Sequence, residues 1–168
     1  MLETVIAPIA GAIIAIITAT GLLGVALMMA IESACIPLPS EIIMPFAGYL
    51  ASLGHFSLVA AATAGAIGCN IGSAVAYAVG RHGGRRFVER WGGYFLVTKR
   101  DLEWADRFFA RYGSLAVFIG RLLPVVRTFI ALPAGIAKMD RARFHLYTFL
   151  GSLPWCLALA WVGYKLGE

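Results

Sequence analysis

The sequence predicts an all-α integral membrane protein built as an inverted repeat. It would have about three full transmembrane helices, two opposed re-entrant helical hairpins and a cytoplasmic amphipathic helix. The chain is 60% hydrophobic and 14% charged, with a mean hydropathy of +0.81, whereas soluble domains carry about 25% charged residues. Two proline-broken apolar segments also stand out, one containing carboxylates and the other arginines. These observations together predict the fold class.

The first apolar run covers residues 9 to 31, IAGAIIAIITATGLLGVALMMAI, and contains no charged residue. One helix of this length would cross a hydrocarbon core of about 30 Å. The preceding residues lack the basic segment of a secretory signal, because Glu3 is the only charge before Glu32. We therefore expect a retained first span.

The next segment runs from Glu32 to Gly48 and reads ESACIPLPSEIIMPFAG. Its three prolines interrupt helical hydrogen bonding. The apolar residues between Glu41 and the polar turn at His55 are too few to cross a bilayer. This segment is predicted to dip into the membrane and return to the same side as a first re-entrant hairpin.

Residues 56 to 80, FSLVAAATAGAIGCNIGSAVAYAVG, form the second predicted span. Its many small residues permit close approach of a neighbouring helix, and they would also permit a homodimer. Asn70 is the only amide in this span, and we expect it to hydrogen-bond to another helix rather than to a ligand.

A polar segment follows from Arg81 to Arg111, rich in arginine and aromatic residues. Trp104, Phe108 and Tyr112 recur every four residues and would share one helical face. A basic amphipathic helix of this kind lies in the membrane interface. The excess of positive charge places the segment in the cytoplasm, as an ordinary connector or as a lipid-loading element.

The segment from Gly120 to Gly135, GRLLPVVRTFIALPAG, contains Arg121 and Arg127 inside an apolar run. A charged side chain at bilayer depth costs at least about 2.5 kcal/mol, so both arginines are candidate functional residues. A broken, charged segment is stable there only when it is buried in protein or lines a cavity. We expect a second re-entrant hairpin that binds an anionic group.

The last span is predicted at Leu146 to Leu166, after a basic cluster at 138 to 145, KMDRARFH. If residues 113 to 137 return to the cytoplasm as a hairpin, both basic clusters lie inside, in keeping with the positive-inside rule. The N-terminus would then be inside, and the first hairpin and the C-terminus would be outside.

The two hairpins resemble each other in sequence. PLPSEIIMPFAG at 37 to 48 aligns without gaps on PVVRTFIALPAG at 124 to 135, and Gly68 and Gly80 match Gly151 and Gly163. One domain, residues 1–168, would thus contain repeat one (9–80), a connector (81–112) and repeat two (113–168). Copies that enter from opposite faces follow the plan of secondary transporters.

The charges of the two hairpins are complementary. Arg121 and Arg127 are predicted to bind a substrate phosphate through their forked donors, with a purely structural salt bridge as the alternative. Glu32 and Glu41 are predicted to provide proton coupling or gating, or only to neutralise the arginines. The residues expected to shape the hairpins are Pro37, Pro39, Pro124, Pro133, Gly48 and Gly135.

Other residue types carry weaker signals. Cys35, Cys69 and Cys156 form no CxxC and are expected to be inert buried thiols. The three histidines share no metal spacing and are expected near the interface, where the four tryptophans would act as anchors. Ser-His-Asp triad, GxSxG and P-loop patterns are absent from the sequence, so we predict no catalytic residue, metal, cofactor or nucleic-acid partner.

Several of these motifs together resemble the DedA family of bacterial inner-membrane proteins, which is related to the eukaryotic VTT-domain proteins of the SNARE-associated-like superfamily. They are an acidic residue before PLPSE, Gly80-Arg81 with Gly84, and GRLLPVVRTFIALPAG. The resemblance covers about residues 15 to 165. It implies a lipid translocase of the plasma membrane whose functional residues would be Glu32, Glu41, Arg121 and Arg127.

The expected function is therefore transport of an anionic, phosphate-bearing lipid across the bacterial plasma membrane, with or without proton coupling. The resemblance implies undecaprenyl phosphate as the first candidate and a phosphatidylethanolamine flippase or scramblase as the alternative. A structural membrane protein and a proton-coupled exporter of small cations are further alternatives. A membrane-embedded hydrolase is not expected.

Overall fold

The computed structural model describes residues 2–36, 38–91, 99–124 and 126–167, and these residues form α-helices and no β-strand. The all-helical prediction is confirmed. The helices, in chain order, are α1 Leu2–Thr20, α2 Leu22–Ser33, α3 Ser40–Ser52, α4 Leu58–Trp91, α5 Lys99–Tyr112, α6 Leu115–Leu122, α7 Val126–Phe129, α8 Ala131–Ile136 and α9 Arg141–Gly167.

Two helices are long and apolar enough to cross a membrane, namely α4 over Leu58–Gly83 and α9 over Arg141–Gly167. They correspond to the second and third predicted spans. Helix α4 continues without a break past Arg81 to Trp91, so the first part of the predicted polar segment is helical and continuous with the second span. No proline interrupts this stretch, and each glycine in it costs a helix only about 1 kcal/mol relative to alanine.

The prediction of one continuous helix over residues 9 to 31 is wrong. The chain turns at Gly21, whose φ of 60° and ψ of −131° are strongly disfavoured for residues with a side chain. The turn separates α1 from α2. Because α2 has only 12 residues, at about 1.5 Å per residue it is shorter than the hydrocarbon core. The described residues thus contain two candidate spans rather than three.

The short helices pack against the two long ones. Helix α2 contacts α4, α3 contacts α9, α8 contacts α4, and α6 contacts α9, while α4 and α9 also contact each other. The largest apolar cluster includes Val25, Met29, Ile43, Cys69 and Ala160. The broken segments of the sequence therefore fold into the interior of the helix bundle rather than onto its surface.

Several glycines allow helix backbones to touch, and four of them lie where α3 meets α9 and where α8 meets α4. A Cβ atom added to Gly48 of α3 would overlap the carbonyl of Ala160, and one added to Gly135 of α8 would overlap the carbonyl of Tyr77. The other two contacts are Gly163 on Pro45 and Gly80 on Leu132. Small residues at these positions bring α3 against α9 and α8 against α4.

The prolines of the predicted hairpins occupy different places in the structure. Pro39 directly precedes α3 and Pro124 lies between α6 and α7, so both stand where helices are interrupted. Pro133 lies in the first turn of α8, where a missing N–H is tolerated. Pro37 lies outside the described residues.

Helix α5 carries the aromatic stripe that was predicted from the sequence. The ring centroids of Trp104 and Phe108 are 4.8 Å apart, and those of Phe108 and Tyr112 are also 4.8 Å apart. The shared face is thus confirmed. Its position in the membrane interface stays a prediction.

We expect Gly48→Ala to lower the free energy of unfolding by about 1–3 kcal/mol, because the new methyl group would overlap the backbone of α9. Denaturation of the purified protein in detergent, followed by circular dichroism, measures the change. Gly11→Ala is the matched control, because open space surrounds Gly11. Equal stability of the two variants would contradict the close α3–α9 contact.

Candidate functional site

Arg127 lies at the centre of the bundle on the single turn of α7, with a relative exposure of 2%. Its Nη1 donates a hydrogen bond of 2.7 Å to the Ser40 hydroxyl and lies 3.5 Å from Oε1 of Glu32. Its Nη2 lies 3.6 Å from the sulfur of Cys69. One guanidinium therefore connects α7 to α2, α3 and α4.

Trp155 of α9 completes the surroundings of Arg127. The guanidinium carbon lies 5.1 Å from the centroid of the indole ring, within the range of a cation–π interaction. Trp155 was predicted to be an interface anchor. The structure instead places it against a buried charge, because this residue lies on the face of α9 that is turned towards the bundle.

Arg121, at the end of α6, is fully buried. Its Nη2 donates a hydrogen bond to the hydroxyl of Ser73. Its side chain packs against Gly151 of α9, where a Cβ would overlap the first carbon of the arginine side chain. In the described part of the chain, no carboxylate lies within ion-pair distance of Arg121. This buried cation is therefore held by a neutral hydroxyl group.

The two guanidiniums contact successive turns of α4, since Cys69 and Ser73 are four residues apart. Several buried polar atoms around them have no hydrogen-bond partner among the described residues. These atoms are Nε and Nη1 of Arg121, Nε of Arg127, Oε2 of Glu32, Oγ1 of Thr148, Oγ of Ser152 and Nε1 of Trp155. Each unpaired buried polar group lowers stability by about 1–3 kcal/mol. Such groups are explained by a bound ligand, by water or by strain that the fold tolerates.

Three of these unpaired groups come from one face of α9. Thr148, Ser152 and Trp155 follow one another at helical spacing, and Gly151 beside them contacts Arg121. The face presents two hydroxyl groups and an indole N–H to the interior. Both arginines and this face of α9 therefore have unpaired hydrogen-bond donors in the interior of the bundle.

The two predicted carboxylates, Glu32 and Glu41, lie in different surroundings in the structure. Glu32 is buried, with a relative exposure of 6%, and pairs with Arg127. Glu41, in the first turn of α3, is exposed and takes no part in the contacts of Arg127. Both carboxylates line a cavity of about 320 Å³ together with Pro39, Pro124 and Thr128. The four charged residues predicted to act together are therefore arranged differently. Glu32 and Arg127 form a buried pair, Arg121 is buried apart from them, and Glu41 is exposed at the cavity.

Sequence reasoning did not identify the neutral residues of the site. Ser40, Ser73, Thr148 and Ser152 are ordinary in apolar helices, and only the four-residue spacing of Thr148 and Ser152 would have pointed to a polar face. Cys69 was expected to be an inert buried thiol. It is buried, and it also contacts Arg127.

Asn70 connects the two long helices. Its Nδ2 donates a hydrogen bond of 3.0 Å to the backbone carbonyl of His145, and its Oδ1 contacts Nδ1 of the same histidine. The prediction of a helix-to-helix hydrogen bond is confirmed. The placement of His145 outside the spans is wrong, because α9 already begins at Arg141.

These features define a class: helical membrane proteins with an arginine–carboxylate pair and a second arginine inside the bundle. The VTT domain matches residues 38–165 of the chain. The chain therefore belongs to the VTT-domain family, and the resemblance to DedA proteins found in the sequence is confirmed.

Curated relatives cover most of the chain. It is 41% identical over 145 residues to the "Uncharacterized membrane protein YkoX" of Bacillus subtilis. The aligned region covers 86% of this chain and 64% of that protein. It is 37% identical over 152 residues to the "Undecaprenyl phosphate transporter A" of the same organism, covering 90% and 75% respectively.

A third relative carries a different name. The chain is 32% identical over 161 residues to an "Alkaline phosphatase-like protein" of Lactococcus lactis, which covers 93% of this chain and 75% of that protein. The chain thus spans about two thirds to three quarters of the length of these relatives. No solved structure matches the chain.

We expect Glu32→Gln and Arg127→Gln each to lower the free energy of unfolding by about 3–5 kcal/mol, because each leaves a buried charge without its partner. The double variant should lose clearly less than the sum of the two. Denaturant titration in detergent measures this cycle. Glu41→Gln is the control and should change stability by about 0.5 kcal/mol or less, and strict additivity would contradict the pair.

Proposed function

We propose that the chain is a multi-pass transporter of the bacterial plasma membrane that moves a lipid with an anionic phosphate headgroup. Undecaprenyl phosphate is the first candidate. One observation carries the proposal: the buried guanidiniums of Arg121 and Arg127 contact successive turns of α4, and both have N–H groups without a partner among the described residues. The name of the relative that is 37% identical supports the same substrate.

Guanidinium groups suit a phosphate headgroup. Their planar fork of donors matches two oxygens of a phosphate, and such charge-assisted hydrogen bonds are about twice as strong as neutral ones. The hydroxyl groups of Ser73, Thr148 and Ser152 and the indole N–H of Trp155 are further donors buried in the same helix bundle. The site could therefore replace the hydration of a headgroup that leaves the aqueous interface.

The Glu32–Arg127 pair would act as the gate. Its closest distance of 3.5 Å is longer than the 2.7–2.9 Å typical of a strong ionic hydrogen bond, so a phosphate could displace the carboxylate. The displaced Glu32 would then be an unpaired charge in an apolar interior. A proton is the smallest cation that neutralises it, which would couple transport to protons. Glu41, on the same cavity, would exchange such protons with the solvent.

The contacts of the long helices support an inverted repeat with two opposed re-entrant hairpins. In the sequence alignment, Gly48 corresponds to Gly135 and Pro45 to Leu132, while Tyr77 corresponds to Ala160 and Gly80 to Gly163. The contacts of α3 with α9, Gly48–Ala160 and Gly163–Pro45, thus have the counterparts Gly135–Tyr77 and Gly80–Leu132 between α8 and α4. Each broken segment contacts the long helix of the other repeat.

A phosphatidylethanolamine flippase is the second candidate, favoured by the cavity that contains both carboxylates. In this case the arginines would bind the lipid phosphate and Glu41 would bind the ammonium group.

The name of the Lactococcus lactis relative also refers to phosphate chemistry. We propose transport rather than hydrolysis, because the unpaired groups at the site are mainly hydrogen-bond donors.

We expect Arg127→Ala and Arg121→Ala each to slow the movement of polyprenyl phosphate in proteoliposomes by about tenfold or more. Each variant loses at least one ionic hydrogen bond to the phosphate, which raises the energy barrier for transport by at least about 1.4 kcal/mol. Arg111→Ala, on the exposed face of α5, is the control and should keep most of the rate. Transport at the wild-type rate by Arg127→Ala would refute the proposal.

Exchange of the two paired charges distinguishes a transporter from a structural brace. The double variant Glu32→Arg with Arg127→Glu keeps one charge of each sign, so a brace should retain much of its stability. Phosphate capture should nevertheless be lost, because the carboxylate would now stand in the position of the donor fork. A stable double variant that still transports lipid would show that Arg127 does not bind the headgroup.

Opposed hairpins predict the sides on which two exposed positions lie. A membrane-impermeant thiol reagent should label His55→Cys from outside intact cells, and it should label Ala110→Cys only after the membrane is opened. The three natural cysteines are buried and provide an unlabelled background. Labelling of both positions from the same side would contradict the proposed topology.

A further inference from the structure

Two adjoining cavities lie between α4 and α9 on the surface of the helix bundle, and neither contains a residue of the proposed transport site. One, of about 240 Å³, is lined by polar residues that include Tyr77, Arg81, His82 and Arg141. The other, of about 510 Å³, is mainly apolar. Ala74 and His145 line both cavities. The two cavities therefore adjoin along the helix pair, and together they are here called the α4–α9 groove.

The polar end of the α4–α9 groove is cationic and has a fixed geometry. Nη1 of Arg81 donates a hydrogen bond of 2.8 Å to the hydroxyl of Tyr77, which itself donates to the carbonyl of Met139. Arg141 is the first residue of α9 and lines the same cavity as Arg81. The nearby carboxylate of Asp140 accepts a hydrogen bond of 3.0 Å from the backbone N–H of Arg143, so it caps α9.

This end lies at the expected height of lipid headgroups. The candidate span of α4 ends at Gly83, two residues after Arg81, and the span of α9 begins at Arg141. Arginines at the ends of membrane spans meet the anionic surface of the bilayer, and each contributes to binding anionic lipid. Their position and charge complement a phosphate group in the membrane interface.

The other end of the groove suits an apolar chain. Ile67, Ile71 and Val75 recur at every fourth residue of α4, are about half exposed, and line the groove together with Phe149. Asn70 and His145 are the polar side chains in this part, and they hydrogen-bond to each other. Their mutual hydrogen bonds lower the cost of covering this part of the groove with an acyl chain.

We propose that the α4–α9 groove binds an anionic phospholipid of the surrounding bilayer. Its phosphate would lie between Arg81 and Arg141, and one acyl chain would run along Ile67, Ile71 and Val75. Such a lipid would contact both membrane-spanning helices and stabilise their packing. The proposal is independent of lipid transport, because the groove lies outside the bundle and contains neither buried arginine.

Native mass spectrometry of the purified full chain tests this site with phosphatidylglycerol as the anionic probe and phosphatidylcholine as the neutral one. The wild type should retain phosphatidylglycerol preferentially. The double variant Arg81→Gln with Arg141→Gln should retain it about tenfold less. Arg143→Gln is the matched control, because Arg143 is exposed on the same turn of α9 but does not line the cavity. It should change retention by about twofold at most.

A second variant tests the apolar end and keeps the test valid if the arginine variant fails to fold. Ala74→Trp fills the groove at the junction of the two cavities and should reduce retention of phosphatidylglycerol about tenfold. Ala158→Trp adds the same side chain at an exposed position of α9 that does not line the groove, and it should have little effect.

Several outcomes would overturn the proposal. One is equal loss in Arg143→Gln and the double variant, which would indicate general attraction between positive charge and lipid. Others are equal retention of phosphatidylcholine, displacement of the lipid by inorganic phosphate alone, and preferential retention of polyprenyl phosphate in the groove. The transport assay is not needed for any of these measurements, so failure here leaves the proposed function standing.

Discussion

The buried guanidinium of Arg127 has to be both neutralised and hydrogen-bonded inside an apolar bundle, and the surrounding helices are arranged to do this. It takes a carboxylate from α2, a hydroxyl from α3, a thiol from α4 and an aromatic face from α9. A lone charge in such surroundings would be very costly. The broken segments therefore fold into the interior, where these partners can reach the arginine.

The two interior arginines are not equivalent. Arg127 has a carboxylate partner, whereas Arg121 is held by the hydroxyl of Ser73 in the described part of the chain. The interior thus has more cationic than anionic groups around α4. A lipid phosphate entering the bundle would balance this charge and would use the unpaired donors, which is the physical basis of the proposed transport.

Much of the organisation could be predicted because it depends on composition and spacing. The apolar content, the charges in proline-broken segments and the shared face of Trp104, Phe108 and Tyr112 are properties of the sequence itself. The errors arose where the local signal was weak. The backbone turn at Gly21 and the extension of α4 past Arg81 were not predicted, because glycine tolerates both helix and turn.

By itself the sequence determined a helical membrane chain with arginines and glutamates in two broken segments, because an apolar run restricts where a charge can be placed. Only the tertiary structure decided that Glu32 and not Glu41 pairs with Arg127, across a separation of 95 residues. It also decided that Trp155 and small hydroxyl residues join the site. Such partners depend on distances between helices, which no local spacing specifies.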